Sequence, residues 1–136
     1  LLINIIKVPW GRARMRLIAS TGNASYFTPW WKAGSSLKNQ LVAEGVSSDE
    51  FRSFPSGHTA ASFAVAVVLL LRAPKKISIP AMILAVLISL SRLYVGVHYP
   101  TDVLGGALIG TLCAFLAVWI VDAVEKKIGE KKAKQK

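Results

Sequence analysis

Hydrophobic and polar positions alternate along this chain on the scale of whole helices. Residues 56–71, 77–90 and 103–121 contain no Lys, Arg, Asp or Glu. The last run is long enough to cross a hydrocarbon core of ~30 Å at ~1.5 Å rise per residue. The first two reach that length only if their polar flanks are helical too, giving helices over 56–72 and 77–94. No polar stripe at helical period interrupts any of the three, so they do not read as half-buried helices of a soluble bundle. The pattern predicts an all-α transmembrane helical bundle. The opening "LLINIIK" is too short to span a bilayer or to be a whole signal peptide, and reads as the tail of a helix whose beginning is missing. Residues 11–52, with "STGNAS" and "KAGSSLKNQ", are polar and read as one extracytoplasmic loop.

Composition supports the membrane reading. The chain is 53% hydrophobic yet carries a net charge of +10 over 136 residues, a pairing that suits one membrane domain better than a soluble one. A nucleic-acid binder would gather its Lys and Arg on one face. Here they sit in short clusters between uncharged stretches, which argues against nucleic acid as a partner. Cys113 has no second cysteine to pair with and reads as a small buried hydrophobe.

Charge also orients the helices. "RAPKK" (72–76) and "EKKIGEKKAKQK" (125–136) fall at the same side of a three-helix zigzag, and excess Lys/Arg in short flanks marks the cytoplasmic side. The opposite ends carry "PSGH" and "SRLYVGVHYPTD", so both histidines are expected at the outer surface with Trp10, Trp30, Trp31, Tyr94 and Tyr99 at the interface. Arg12, Arg14 and Arg16 oppose the positive-inside trend and are expected to form a solvated or headgroup-contacting cluster. "YFTPWWK" (26–32) reads as an interfacial anchor, and Gly106 with Gly110 as a close helix-packing step.

The outer ends bring together two histidines, His58 and His98, one carboxylate, Asp102, and the cations Lys7, Arg14 and Arg92. Two histidines and one carboxylate could ligate a metal, but the guanidiniums would repel it. An anion is the better guest, since Arg offers a planar fork to phosphate oxygens and helix N-termini add N–H donors. Ser56 is the expected N-cap, Gly57 permits close backbone approach, and Pro100 suits the first turn of the last helix. A histidine beside a bound phosphate can attack phosphorus if its second nitrogen is held, and Asp102 is the available holder for His98. The other histidine is then free to protonate the leaving oxygen.

"KVPWGRAR" (7–14), "PSGH" (55–58) and "SRLYVGVH" with Asp102 (91–102) resemble the three motifs of the type 2 phosphatidic acid phosphatase superfamily, K-x6-R-P, P-S-G-H and S-R-x5-H-x3-D. The second and third match in full; the first departs at Met15, where the family has proline. The resemblance runs from Lys7 to about residue 124 and implies three core helices of a fold that usually has six. The chain is therefore expected to be truncated: a single membrane phosphatase domain over 1–136 without its amino-terminal helices, ending in a basic cytoplasmic tail over 126–136. The resemblance further implies His98 as nucleophile forming a phosphohistidine, Asp102 as its orienting partner and His58 as general acid. Lys7, Arg14, Ser56, Gly57 and Arg92 would hold the phosphoryl oxygens, with no metal or other cofactor. The family's soluble cousins, the vanadium haloperoxidases, use a similar pocket, but the apolar spans favour the membrane branch. The expected partners are the bilayer and a lipid phosphate or pyrophosphate: undecaprenyl pyrophosphate, phosphatidylglycerophosphate, phosphatidate or a lipid A phosphate. The expected location is a bacterial plasma membrane with the site on the extracytoplasmic side. The alternatives are a phosphotransferase with an alcohol acceptor and a noncatalytic lipid-phosphate binder.

Overall fold

The structure, a computed structural model, describes residues 2–29, 31, 32 and 34–133 and is helical throughout apart from turns and loops. Trp30 and the last three residues of the expected basic tail lie outside the described residues. Three long helices form the body: α4 (Gly57–Arg72), α5 (Lys75–Tyr94) and α6 (Pro100–Ala133). Ahead of them come α1 (Leu2–Trp10), α2 (Met15–Thr21) and α3 (Ser35–Ala43), with 3-10 turns at Ala24–Tyr26 and Ser48–Phe51.

The three long helices coincide with the three apolar runs, with informative differences at their ends. α5 begins at Lys75 because Pro74 supplies an extended N-cap and both lysines fit the first turn. α6 runs for 34 residues, so 103–121 is only its apolar stretch and the expected tail is, as far as Ala133, its continuation. Good helix formers such as Ala, Glu and Lys make up most of that extension. α5 and α6 are long and apolar enough to cross a membrane. At 16 residues α4 is shorter, about 24 Å at ~1.5 Å per residue. Large apolar side chains point outward from both longer helices, among them Ile83, Leu87, Leu108, Leu112, Phe115 and Trp119, a surface suited to lipid or further helices rather than water.

α4 is the middle of the three, packed on α6 and on α5, which scarcely touch each other. Small residues permit this. A Cβ on Gly106 would lie 2.5 Å from the Ser56 carbonyl oxygen, and one on Gly110 would collide with the carbonyl of Ala60. The glycine step is thus a backbone-to-backbone contact between α4 and α6. Gly110→Val is expected to destabilise the protein by about 1–3 kcal/mol or more through overpacking. Thermal unfolding in detergent checks this, with Gly129→Ala, whose Cβ meets nothing within 4 Å, as a control that leaves the midpoint in place. At one end of the bundle Arg72 pairs with Asp122, so the 72–76 link and the lysine-rich part of α6 share that end.

Residues 11–52 correct the reading of an open loop. They form a small folded layer around buried Ala13, Leu17, Leu41 and Phe51, with Tyr26, Leu37 and Val46 against it. Its apolar residues are too scattered to show a period and converge only through α2, α3 and the turns between them. The layer is joined to α1 where Gly34 N–H donates to the Trp10 carbonyl at 2.8 Å. Gly11 stands there at φ +64°, and a Cβ on Gly34 would lie 2.6 Å from the Gly11 oxygen, so two glycines allow the two backbones to touch.

Candidate active site

At the bundle end opposite Arg72 and Asp122, the start of α4 is tied to the start of α6: Ser56 N–H donates to the Asp102 carbonyl at 2.8 Å. Ser56 is the N-cap, its Oγ accepting from Thr59 N–H at 3.5 Å and from the Thr59 hydroxyl at 3.0 Å. This fixes Gly57 and His58 in the first turn, beside a cavity of about 450 Å³. Lys7, Arg14 and Arg16 line it from the amino-terminal side, Gly57 and His58 from α4, Arg92 from the last turn of α5, and His98 from the α5–α6 connection.

Six of the eight residues expected at the site therefore face one space: Lys7, Arg14, Gly57, His58, Arg92 and His98. The other two, Ser56 and Asp102, are fully buried and do not line it. Lys7 is buried, its Nζ donating to the Arg52 carbonyl at 3.2 Å and passing Gly57, where a side chain would meet it at 3.6 Å. Arg14 Nε donates to the Asp49 carbonyl at 3.0 Å, and Arg92 holds Ser91 Oγ from Nε and Nη2 at 3.2 and 3.1 Å. Burial, with Arg16 nearby, holds Arg14 below the ordinary guanidinium range against the pull of Glu50 and Asp49. Arg16 pairs in bidentate fashion with Glu50. Four cations and no carboxylate line the cavity among the described residues. Such a cluster is relieved by an anion, and planar guanidiniums suit the oxygens of a phosphoryl group.

The three arginines of the 12–16 stretch do not form the single solvated cluster expected of them. Arg14 and Arg16 border the cavity, whereas Arg12 is turned inward and is only 2% exposed. Its Nη1 pairs with Asp102 Oδ1 and donates to Thr101 Oγ1 at 2.9 Å, while its guanidinium lies over the Tyr99 ring at 4.1 Å. On Asp102 the second oxygen, Oδ2, accepts from the Ser53 hydroxyl and from the Tyr99 backbone N–H at 3.0 Å. Burial pushes the Tyr99 phenol above its ordinary range, so the ring stays neutral beneath the cation. His98, 3% exposed, turns Nδ1 toward Asp102 Oδ2 at 3.6 Å, longer than a closed hydrogen bond. Nε2 is the nitrogen left for the cavity. Arg12, Ser53, Tyr99 and Arg16 all went unnoticed as site components in the sequence. Arg12 and Arg16 flank Arg14 at two residues on either side, so residue type could not separate the three, and Ser53 carries no signal beyond its place ahead of Pro55.

Several curated proteins resemble this chain. An undecaprenyl-diphosphatase of Sulfolobus acidocaldarius is 52% identical over 68 residues, which is 50% of this chain and 33% of that protein. Phosphatidylglycerophosphatase B of Bacillus subtilis is 42% identical over 74 residues, 47% of this chain and 36% of that protein. A lipid A 4'-phosphatase of Bacteroides thetaiotaomicron is 37% identical over 76 residues, 55% of this chain and 34% of that protein. The matched stretch is thus about a third of the length of each of these relatives. No solved structure matches the chain. The family model described as the PAP2 superfamily matches residues 1–126, from the helix that carries Lys7 through the apolar length of α6, and with six of its motif residues lining one cavity the chain belongs to that superfamily.

Proposed function

We propose that this protein is an integral membrane phosphatase that hydrolyses a lipid phosphate or pyrophosphate through a phosphohistidine. The observation that carries the reading is the cavity itself: two histidines and four cations, with no carboxylate among its described lining residues, at one end of helices whose outward faces are apolar. A lipid phosphate has the matching form, an anionic head beside the site and a tail left in hydrocarbon. The relatives, an undecaprenyl-diphosphatase, a phosphatidylglycerophosphatase and a lipid A 4'-phosphatase, are named for activities of this class.

In this mechanism Lys7, Arg14 and Arg92, with the Gly57 amide at the start of α4, hold the phosphoryl oxygens. Ser56 acts by capping that helix start. His98 Nε2 attacks phosphorus while Asp102 faces Nδ1 and favours the imidazolium that results. The bond to the leaving oxygen breaks, and His58, exposed at the cavity mouth, protonates it. Water, its proton taken back by His58, then attacks the phosphohistidine and releases inorganic phosphate. The guanidiniums stabilise the charge that builds on the equatorial oxygens in both steps. The cationic ends of α4 and α6, by the positive-inside trend, support a cavity on the extracytoplasmic face of the membrane.

The test is phosphate release by the full-length protein in right-side-out vesicles across a panel of lipid phosphates and pyrophosphates. The expected outcome is release from substrate added outside, competitive inhibition by vanadate, and no loss of activity in a chelator. Activity lost to the chelator and restored by a divalent ion overturns the metal-free site. Transfer of phosphate to an added alcohol in place of release identifies a phosphotransferase, and tight binding with neither identifies a binder.

A further inference from the structure

We infer that Arg12 is a positioning residue of the active site, fixing the Asp102 carboxylate so that it in turn fixes His98. The inference rests on the phosphatase reading for its kinetic consequences and on the geometry for the rest. Arg12 does not line the cavity, yet it is the largest fully buried side chain among the described residues. A guanidinium taken out of water is costly unless paired, and its pairing here is specific. It meets Asp102 and Thr101 on one side and the face of Tyr99 on another, with the Phe27 ring 5.6 Å away. Its own carbonyl accepts from Ser53 N–H at 3.2 Å, and Ser53 is the residue whose hydroxyl bonds the other carboxylate oxygen.

Asp102 is therefore gripped from three separate segments: the α1–α2 connection through Arg12, the stretch before α4 through Ser53, and the α5–α6 connection through Tyr99 N–H. None of these bonds involves His98. The carboxylate is set in place first, and the imidazole, 3.6 Å away, takes its orientation from it. Arg12 also supplies a positive charge at Oδ1, the carboxylate oxygen that does not face the imidazole, so the buried carboxylate is paired on that side.

A double-mutant cycle on the full-length protein separates this role from the alternatives. Arg12→Gln is expected to lower kcat per folded molecule by roughly 10²-fold, the scale of a displaced catalytic group, while KM and vanadate inhibition stay near the parent values. Arg12→Lys keeps the charge but not the flat face on Tyr99 and should recover part of the loss. In an Asp102→Asn background, Arg12→Gln should cost nothing further, because the group it positions is gone. A weakened vanadate inhibition that adds to the Asp102→Asn loss makes Arg12 a phosphate ligand and overturns the inference. Since removing one partner of a buried pair can unfold a protein, ¹⁵N spectra of the two histidines give a readout independent of turnover. The parent should show His98 as the Nδ1–H tautomer and Arg12→Gln a mixture, with a His58→Gln spectrum assigning the signals. An unchanged His98 tautomer in folded Arg12→Gln also overturns the inference. If the parent releases no phosphate from any substrate, it is the phosphatase reading that fails, and the tautomer still decides the role of Arg12.

Discussion

His98→Ala is expected to be inactive on every phosphate ester, whereas His58→Ala is expected to fail selectively, according to the leaving group. The two imidazoles sit in different surroundings. His98 is buried against Asp102, which suits a nucleophile whose second nitrogen must be directed; His58 stands exposed in the first turn of α4, where a departing group can reach it. A lipid alkoxide is a poor leaving group and needs a proton as it departs. Loss of that proton donor should lower turnover of an alkyl phosphate by roughly 10²- to 10⁴-fold. A phenolate leaves readily without one, so His58→Ala should recover much of its relative rate on an aryl phosphate. His98→Ala should not, because no nucleophile remains. The measurement is kcat/KM for both variants on a matched alkyl and aryl pair. Equal loss on both substrates in His58→Ala removes its acid role, and rescue of His98→Ala instead exchanges the two assignments.

Arg92→Lys is expected to lower kcat by roughly 10²- to 10³-fold although the charge is kept, the scale found when one donor to a developing oxyanion is removed. Ser91 Oγ holds the guanidinium by Nε and Nη2, so the plane of the fork is set before substrate arrives and Nη1 remains for the phosphoryl oxygens. An ammonium has neither the plane nor the second point of attachment. Its position in the last turn of α5 favours any cation, so folding should survive the change. Equal activity in Arg92→Lys and parent would mean that charge alone matters there. Comparison of kcat with KM tells whether the fork acts on the bound phosphate or on its transition state.

Much of this was legible in the residues. The uncharged runs at 77–90 and 103–121 became α5 and α6 because a long run without a charge has few alternatives to a helix in an apolar surrounding. The zigzag of three helices then required "PSGH" and "SRLYVGVHYPTD" to share an end, so the meeting of His58, Arg92 and His98 followed from connectivity alone. The close approach of α4 and α6 was likewise written in Gly106 and Gly110, which matter for what they lack.

The amino-terminal third was not legible in the same way. Leu17, Leu41 and Phe51 lie at no helical or strand period from one another, and they form a core only because short helices and turns fold them together. The sharpest case is the stretch from Gly11 to Arg14, which belongs to no helix or strand. In a regular element the direction of each side chain follows from its period; in an irregular one it depends on the individual φ and ψ of each residue. Arg12, Arg14 and Arg16 are the same residue type at equal spacing; the distance from Lys7 marked Arg14 for the site, and nothing in the sequence told Arg12 from Arg16. Tertiary structure decided that Arg12 is buried on Asp102 and that Arg16 borders the cavity while pairing with Glu50, because the partners that distinguish them come from segments 34 to 90 residues away.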